Sequence, residues 1–263
     1  MSAVLPTRVS RFQGASLKPT VPVLSPVILL CVWELSARAH LVDTRFFPEP
    51  TGILLVLGEM LQSGELVAHI GVSLQRIAVG LFIGAVPGML IGIAVGLVPI
   101  LRAVIQPLID ITFPIPKIAL LPLFILVFGI GEASKYAVIA TAVIYLVIIN
   151  TVAGVRNIDR IYLDVAANFH ASKRMMLWDV ALPGALPLIL AGVRLAVGVA
   201  LIVIVTAEFV GAKSGLGYLI WTSWQVLQVE KMYVGLVVIA AIGLGCAALL
   251  DALERVLLPW KAA

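Results

Sequence analysis

Few residues in this chain have the types and spacing that catalysis or metal binding requires. The three histidines, His40, His69 and His170, are far apart in sequence, and none has a neighbour of the kind that completes a metal site. No nucleophile is paired with a base, and the phosphate-binding pattern Gly-x-x-x-x-Gly-Lys-Ser/Thr does not occur. We therefore expect no catalytic residue, no metal and no cofactor in this chain, and we expect that it is not an enzyme.

Three polar residues that interrupt apolar sequence are the remaining candidates: Asn150, Arg194 and Glu208. An ionisable group within a membrane helix costs about 2.5–3.5 kcal/mol on insertion scales, so such groups are functional candidates. Arg194 could face a path and attract an anion, or it could be a buried arginine satisfied near the inner interface. Glu208 is about 21 Å further along a helix, since each residue rises 1.5 Å, so the two cannot pair directly. For Asn150, as for Thr151, we expect a hydrogen bond between helices.

The composition places these residues in an integral membrane protein. Of 263 residues, 62% are hydrophobic and 12% are charged, and the mean hydropathy is +1.13. Soluble domains have about 25% charged residues. The net charge of +4 is spread between apolar runs, which is typical of membrane topology and argues against nucleic acid as a partner. Cys31 and Cys246 lie inside apolar runs, so we expect no disulfide.

Six apolar runs predict an all-α, polytopic transmembrane helical bundle of about six spans. The third run is short and contains a proline, but a tally of Lys and Arg favours its crossing: eleven inside and six outside if it crosses, eight and nine if it does not. Both termini are then cytoplasmic. Residues 1–20 form a cytoplasmic tail, and the first run is a retained span rather than a signal peptide. The predicted spans within a single transmembrane domain, 21–263, are 21–37, 77–101, 118–131, 136–155, 186–211 and 232–250.

Two further features concern the first two spans. Five glycines recur at every fourth residue of the second span and predict a tightly packed face, either in the core of the bundle or at a dimer contact; they are Gly80, Gly84, Gly88, Gly92 and Gly96. Between the two spans, residues 51–61 show helical periodicity behind a possible cap at Thr51. They predict a short amphipathic helix on the membrane surface or on the flank of the bundle.

The most informative polar segment, residues 156–185, is cytoplasmic in this topology. Asp159 can cap a first short helix with Ile161, Val165 and Phe169 on one face, and Ser172 can cap a second that should stop before Pro183. Two amphipathic helices joined by a tight turn suit a docking element for another protein.

This segment resembles the EAA loop of the permease subunits of ABC importers. In that motif Glu-Ala-Ala is followed after three residues by Gly and after nine more by Ile-x-Leu-Pro. This chain keeps every spacing with Asp164-Val165-Ala166, His170 and Val180-Ala181-Leu182-Pro183. Other segments from residue 47 to the C-terminus are similar to the branch that imports sulfonates, taurine, nitrate and related anions. They are Leu121-Pro122-Leu123-Phe124, Phe128-Gly129-Ile130-Gly131-Glu132, Gly154-Val155-Arg156-Asn157-Ile158-Asp159, Leu182-Pro183-Gly184-Ala185-Leu186-Pro187, Ala207-Glu208-Phe209 and Gly215-Leu216-Gly217-Tyr218.

The resemblance implies the type I ABC importer permease fold in a bacterial inner membrane and a homodimer around a central path. Each loop would sit in a cleft of one of two ATPase subunits, which bind ATP and magnesium, and a periplasmic binding protein would deliver a sulfonate or taurine. Asn150, Arg194 and Glu208 are then candidates for the path or its gate. The implied coupling residues are Asp164, Val165, Ala166, Phe169, His170, Ala171, Ser172, Leu182 and Pro183.

Two substitutions depart from the motif. Asp164 keeps the charge of the usual Glu but is shorter by one methylene, and His170 stands where the motif has the glycine of the turn. We expect the turn to persist with some strain, because His adopts positive φ more often than most residues.

Other readings remain open. The same machinery could import nitrate, bicarbonate or a thiamine precursor. A secondary transporter or channel would need more polar sites within its spans, and an intramembrane enzyme would need a catalytic constellation.

Overall fold

The computed structural model describes residues 21–261, and the tail predicted for residues 1–20 lies outside them. The described chain is helical and contains no strand, which confirms the all-α prediction. The helices are α1 (Val21–Arg38), α2 (Pro50–Gln62), α3 (Glu65–Leu97), α4 (Pro99–Thr112), α5 (Leu121–Phe128), α6 (Glu132–Arg156), α7 (Arg160–Asn168), α8 (Lys173–Met175), α9 (Leu182–Phe209), α10 (Leu216–Gln225) and α11 (Val229–Leu257). A 3-10 turn covers Lys117–Leu120, and a π-helical segment covers Met176–Ala181.

The chain divides into two compact units, residues up to Leu54 and residues from Leu55 onward. In the first unit, Arg38 donates a 2.6 Å hydrogen bond to Glu34 one turn earlier in α1. Glu34 also accepts from the backbone N–H of Thr51 at 3.0 Å and from its hydroxyl at 2.8 Å. The sequence predicted Thr51 as the cap at the start of α2, but the distant carboxylate of Glu34 takes that role. The helix itself is confirmed, and its place on the membrane surface stays a prediction.

In the second unit, four helices are long and apolar enough to cross a membrane: α3, α6, α9 with the π-helical segment before it, and α11. They contain most of the predicted spans 77–101, 136–155, 186–211 and 232–250, which confirms a multi-pass membrane protein. A fifth crossing is present if the bent pair described next counts as one span. The first predicted span, 21–37, coincides with α1.

The predicted third span, 118–131, is wrong as a separate helix. It is one arm of a broken element that starts at Pro99, in which α4 is followed by a bend of 87° and then by Lys117–Phe128. Pro114 and Pro116 explain the break, because proline lacks the N–H that a helix needs and disfavours helical conformation in the residue before it. For the same reason Pro99 starts a new helix, and the second span ends at Leu97 rather than at residue 101.

The core of the second unit is formed by α3, α6 and α9. All five glycines of the α3 stripe are buried and face α6. A Cβ added to Gly84 would lie 2.6 Å from the backbone oxygen of Ala140, and one added to Gly92 would lie 2.5 Å from Cβ of Thr151. Within this chain the stripe therefore lets the backbones of α3 and α6 approach each other closely.

Candidate functional site

The loop between α6 and α9 begins with a well-defined short helix. Asp159 accepts a 3.0 Å hydrogen bond from the backbone N–H of Ile161, which confirms it as the cap of α7. At the other end, His170 adopts a φ of 52°, and the N–H of Ala171 donates to the oxygen of Ala166 at 2.9 Å. This bond across five residues is the Schellman arrangement that usually requires glycine. The turn persists with His170, and its positive φ is the predicted strain.

The second half of the loop is continuous with α9. Ser172 accepts a 3.2 Å hydrogen bond from the N–H of Met175, which confirms the predicted cap. The predicted stop before Pro183 is wrong, because the helix passes from α8 through the π-helical segment into α9 without a break. A wider π turn at this point gives the ring of Pro183 room next to the preceding turn, where a regular α-helix would clash.

An apolar groove lies along this loop, and we call it the loop groove. It has a volume of about 720 Å³ and is lined by both halves of the loop, the start of α9 and Trp260. Phe169 lines it with 83% of its surface exposed, and Val165 and Met175 are also exposed. Large apolar side chains that stay exposed in a short polar loop mark a surface that another protein can cover.

The predicted coupling residues divide by exposure. Asp164, Phe169, His170 and Ser172 are exposed, whereas Ala166 is buried. The carboxylate of Asp164 has no hydrogen-bond or ion-pair partner within residues 21–261. The remaining members, Val165, Ala171, Leu182 and Pro183, are exposed or half-buried. The structure therefore presents a free negative charge beside an apolar groove.

Arg194 and Glu208 lie in α9 and do not contact each other. Arg194 forms a close ion pair with Asp251 of α11 and a second with Glu254 at 3.2 Å. Both partners are carboxylates of another helix, which the sequence analysis did not identify. The positive charge of Arg194 is neutralised within the chain, which makes it a weak attractant for an anionic solute.

Glu208 belongs to a buried ionic cluster that the sequence did not predict. Arg76 of α3 donates to Glu208 at 2.7 Å and makes two 2.6 Å hydrogen bonds to Glu132 at the start of α6. Ser73 donates to Glu208 at 2.8 Å, as does the backbone N–H of Gly217 in α10 at 2.7 Å. We call these residues the Arg76 cluster. It joins α3, α6, α9 and α10 at one end of the bundle.

The predicted second span, 77–101, left Arg76 just outside the bundle, whereas only 2% of the surface of Arg76 is exposed. A signal was present, because Arg76 precedes Gly80 by four residues and so continues the register of the glycine stripe. That register places it on the packed face of α3. Its carboxylate partners could not be found in this way, because they are 56 and 132 residues away in the chain.

Asn150 and Thr151 do not form the hydrogen bonds between helices that we expected. The side-chain amide of Asn150 donates to Leu146 in the same helix at 2.8 Å. The hydroxyl of Thr151 is buried and has no partner within the described chain. Among the described residues there is also no group of three His, Cys, Asp or Glu side chains that could hold a metal ion.

Comparison with known proteins agrees with the fold and the loop. The family model described as "binding-protein-dependent transport system inner membrane component" matches residues 66–262. The chain is 35% identical over 239 residues to the putative aliphatic sulfonates transport permease protein of Bacillus subtilis (strain 168), covering 91% of this chain and 87% of that one. It is 35% identical over 246 residues to the taurine transport system permease protein of Escherichia coli (strain K12), covering 92% and 90%.

A more distant relative has a different cargo in its name. The formylaminopyrimidine transport permease protein of Halalkalibacterium halodurans is 29% identical over 240 residues, which cover 91% of this chain and 95% of that one. The family match covers most of the chain and includes the loop, the Arg76 cluster and, apart from Glu65, the helices α3, α6, α9 and α11. The chain therefore belongs to the binding-protein-dependent transport system inner membrane components, the permeases of ABC transporters.

Proposed function

We propose that this permease is the membrane subunit of an ATP-driven importer and forms the path for a small anionic solute, an aliphatic sulfonate or taurine. In this proposal two copies pair in a bacterial inner membrane with both termini in the cytoplasm. Two separate ATPase subunits bind ATP and magnesium, and a periplasmic binding protein delivers the solute.

The loop groove is the observation that supports this proposal. Its apolar residues and the free carboxylate of Asp164 offer an anchor and a charge to a docking protein. The loop is also mechanically coupled to the bundle, because Met176–Phe209 is one uninterrupted helix. α9 packs against α3 and α6. A displacement of the loop by an ATPase would therefore move a core helix of the bundle.

The names of the relatives support the choice of solute. Two of them are named for aliphatic sulfonates and taurine, both of which contain a sulfonate group. The relative named for formylaminopyrimidine keeps a thiamine-precursor cargo as the alternative, beside nitrate and bicarbonate. Uptake of labelled taurine, ethanesulfonate, nitrate and a formylaminopyrimidine by the reconstituted transporter would separate these cargoes.

The Asp164→Lys variant tests the docking role of the loop. We expect the variant to insert into the membrane normally but to bind its ATPase at least about tenfold more weakly, because it places a like charge at a contact of opposite charges. The measurement is copurification of the ATPase together with ATP-driven uptake of taurine. Glu230→Lys is the matched control, since it makes the same charge change at an exposed position in the first turn of α11.

Two results would contradict the proposal. Normal ATP-driven uptake by Asp164→Lys would remove the docking role from the loop. Uptake by the wild-type permease in vesicles without any ATPase would favour a secondary transporter or channel instead.

A further inference from the structure

A cavity lies at the break between α4 and α5. It has a volume of about 290 Å³ and is lined by the broken segment, the middle of α6 and the second half of α9. This volume is at the lower end of the range for small-molecule sites. The side chains at the cavity include those of Lys117, Tyr145 and Thr206. Ile202 also lines it and is 68% exposed, so the cavity is open to the surface of the single chain.

Tyr145 lies at the middle of α6, a helix long and apolar enough to cross a membrane. Tyr145 is 13 residues after Glu132, where α6 begins, and 11 residues before Arg156, where it ends. At 1.5 Å per residue it is about 20 and 17 Å from the two ends. The ammonium of Lys117 lies 4.1 Å from the centre of the Tyr145 ring and therefore at the same depth.

Lys117 is half-buried and, unlike Arg76 and Arg194, has no carboxylate partner within the described chain. It donates to the backbone oxygens of Thr112 at 2.6 Å and Phe113 at 3.3 Å, which lie at the end of α4. By contrast, Arg76 and Arg194 each face two carboxylates. Carbonyl dipoles and an aromatic face stabilise the ammonium but leave its net charge in place.

A hydrogen-bond donor accompanies this charge. The hydroxyl of Tyr145 has no partner among the residues that the structure describes. Non-helical backbone at membrane depth is tolerated where it is buried in protein or lines a cavity, and broken helices in transporters commonly flank the solute. An uncompensated cation, a free donor and a broken helix thus converge on one opening.

We infer that this cavity binds the sulfonate group of the solute during its passage, with the ammonium of Lys117 as counter-ion and the hydroxyl of Tyr145 as donor. The inference rests on the proposed function and adds the position at which the anion is held. Thr112, Phe113 and the Tyr145 ring already stabilise the ammonium of Lys117, so a bound sulfonate is only one of its partners. These contacts keep binding weak enough for the solute to leave, as transport requires.

The test uses the complete transporter, with its ATPase and binding protein, in proteoliposomes. The probes are labelled taurine and ethanesulfonate, and the readout is solute transported per ATP hydrolysed. We expect this ratio to fall at least tenfold in Lys117→Met and to recover partly in Lys117→Arg, which restores the charge. Lys213→Met is the matched control, because it removes the same charge at an exposed position in the turn after α9.

Tyr145→Phe keeps the test valid if Lys117→Met does not fold, because it removes only the hydroxyl and retains the ring beside Lys117. We expect a threefold to tenfold lower ratio in this variant, with normal assembly. If wild type transports sulfonates and both variants transport them equally well, the cavity is not the site. If wild type transports no oxyanion, the proposed cargo is wrong and the cavity assignment fails with it.

Discussion

Glu208→Ala tests whether the Arg76 cluster holds one end of the bundle together. The substitution removes the acceptor of three hydrogen bonds, which come from the guanidinium of Arg76, the hydroxyl of Ser73 and the backbone N–H of Gly217. All four residues are buried. Because these donors come from α3 and α10 while Glu208 is in α9, the loss affects the contact between three helices.

The loss of unfolding free energy expected in Glu208→Ala depends on which partners Arg76 retains. Removing one partner of a buried ion pair costs about 3–5 kcal/mol, because a charge is left buried and unpaired. Arg76 retains Glu132 and the backbone oxygen of Ser214 at 2.7 Å, so we take the lower end, about 3 kcal/mol. Glu132→Ala is the control, because Glu132 is half exposed and Arg76 would keep its buried partner; we expect about 1 kcal/mol.

Reversible unfolding by SDS in bicelles, followed by tryptophan fluorescence, measures both free energies. The double variant Arg76→Leu, Glu208→Leu sharpens the test, since it removes both charges together. We expect its loss of unfolding free energy to be smaller, by at least about 1 kcal/mol, than the sum of the losses in Arg76→Leu and Glu208→Leu measured separately. Two results would refute the claim that the Arg76–Glu208 ion pair stabilises this end of the bundle. One is a Glu208→Ala variant no less stable than Glu132→Ala, and the other is a double variant whose loss equals the sum of the single losses.

Two further predictions concern the glycine stripe and the turn of the loop. Gly84→Leu should cost about 3 kcal/mol of unfolding free energy, because its Cβ would meet the backbone of Ala140. Gly71→Leu in the same helix, where a Cβ meets open space, should stay within about 0.5 kcal/mol, and equal costs for the two would contradict the close packing. His170→Gly should relieve the left-handed strain by about 1 kcal/mol and slow amide exchange of Ala171 about fivefold. Exchange that is unchanged or faster would show that the turn is not strained.

Some features could be predicted because local sequence causes them. Membrane residence follows from a composition that cannot cover a soluble surface with polar groups. The caps at Asp159 and Ser172 follow from short side chains that bond to a backbone N–H two or three residues away. The packed face of α3 follows from a four-residue period close to one helical turn. Each of these interactions spans only a few residues.

Two predictions about helix boundaries failed near prolines. Pro183 should have ended a helix, but a π-helical turn accommodates it. The third span, 118–131, was predicted as a separate helix, but Pro114 and Pro116 place its residues in the second arm of a bent element that starts at Pro99. The outcome depends on how the neighbouring helices pack around the proline, and the local sequence contains no record of that packing.

The tertiary structure alone decided which charges are compensated. In the sequence Lys117, Arg194 and Glu208 are all ionisable groups in or beside apolar runs. Folding brings Arg194 to the carboxylates of α11 and Glu208 to Arg76, and it leaves Lys117 facing a cavity without a carboxylate. Ion pairs between helices join residues that are distant in the chain and produce no periodic pattern. Composition determined that charges within this membrane protein need partners, and only the packing of α3, α6, α9 and α11 determined which of them have one.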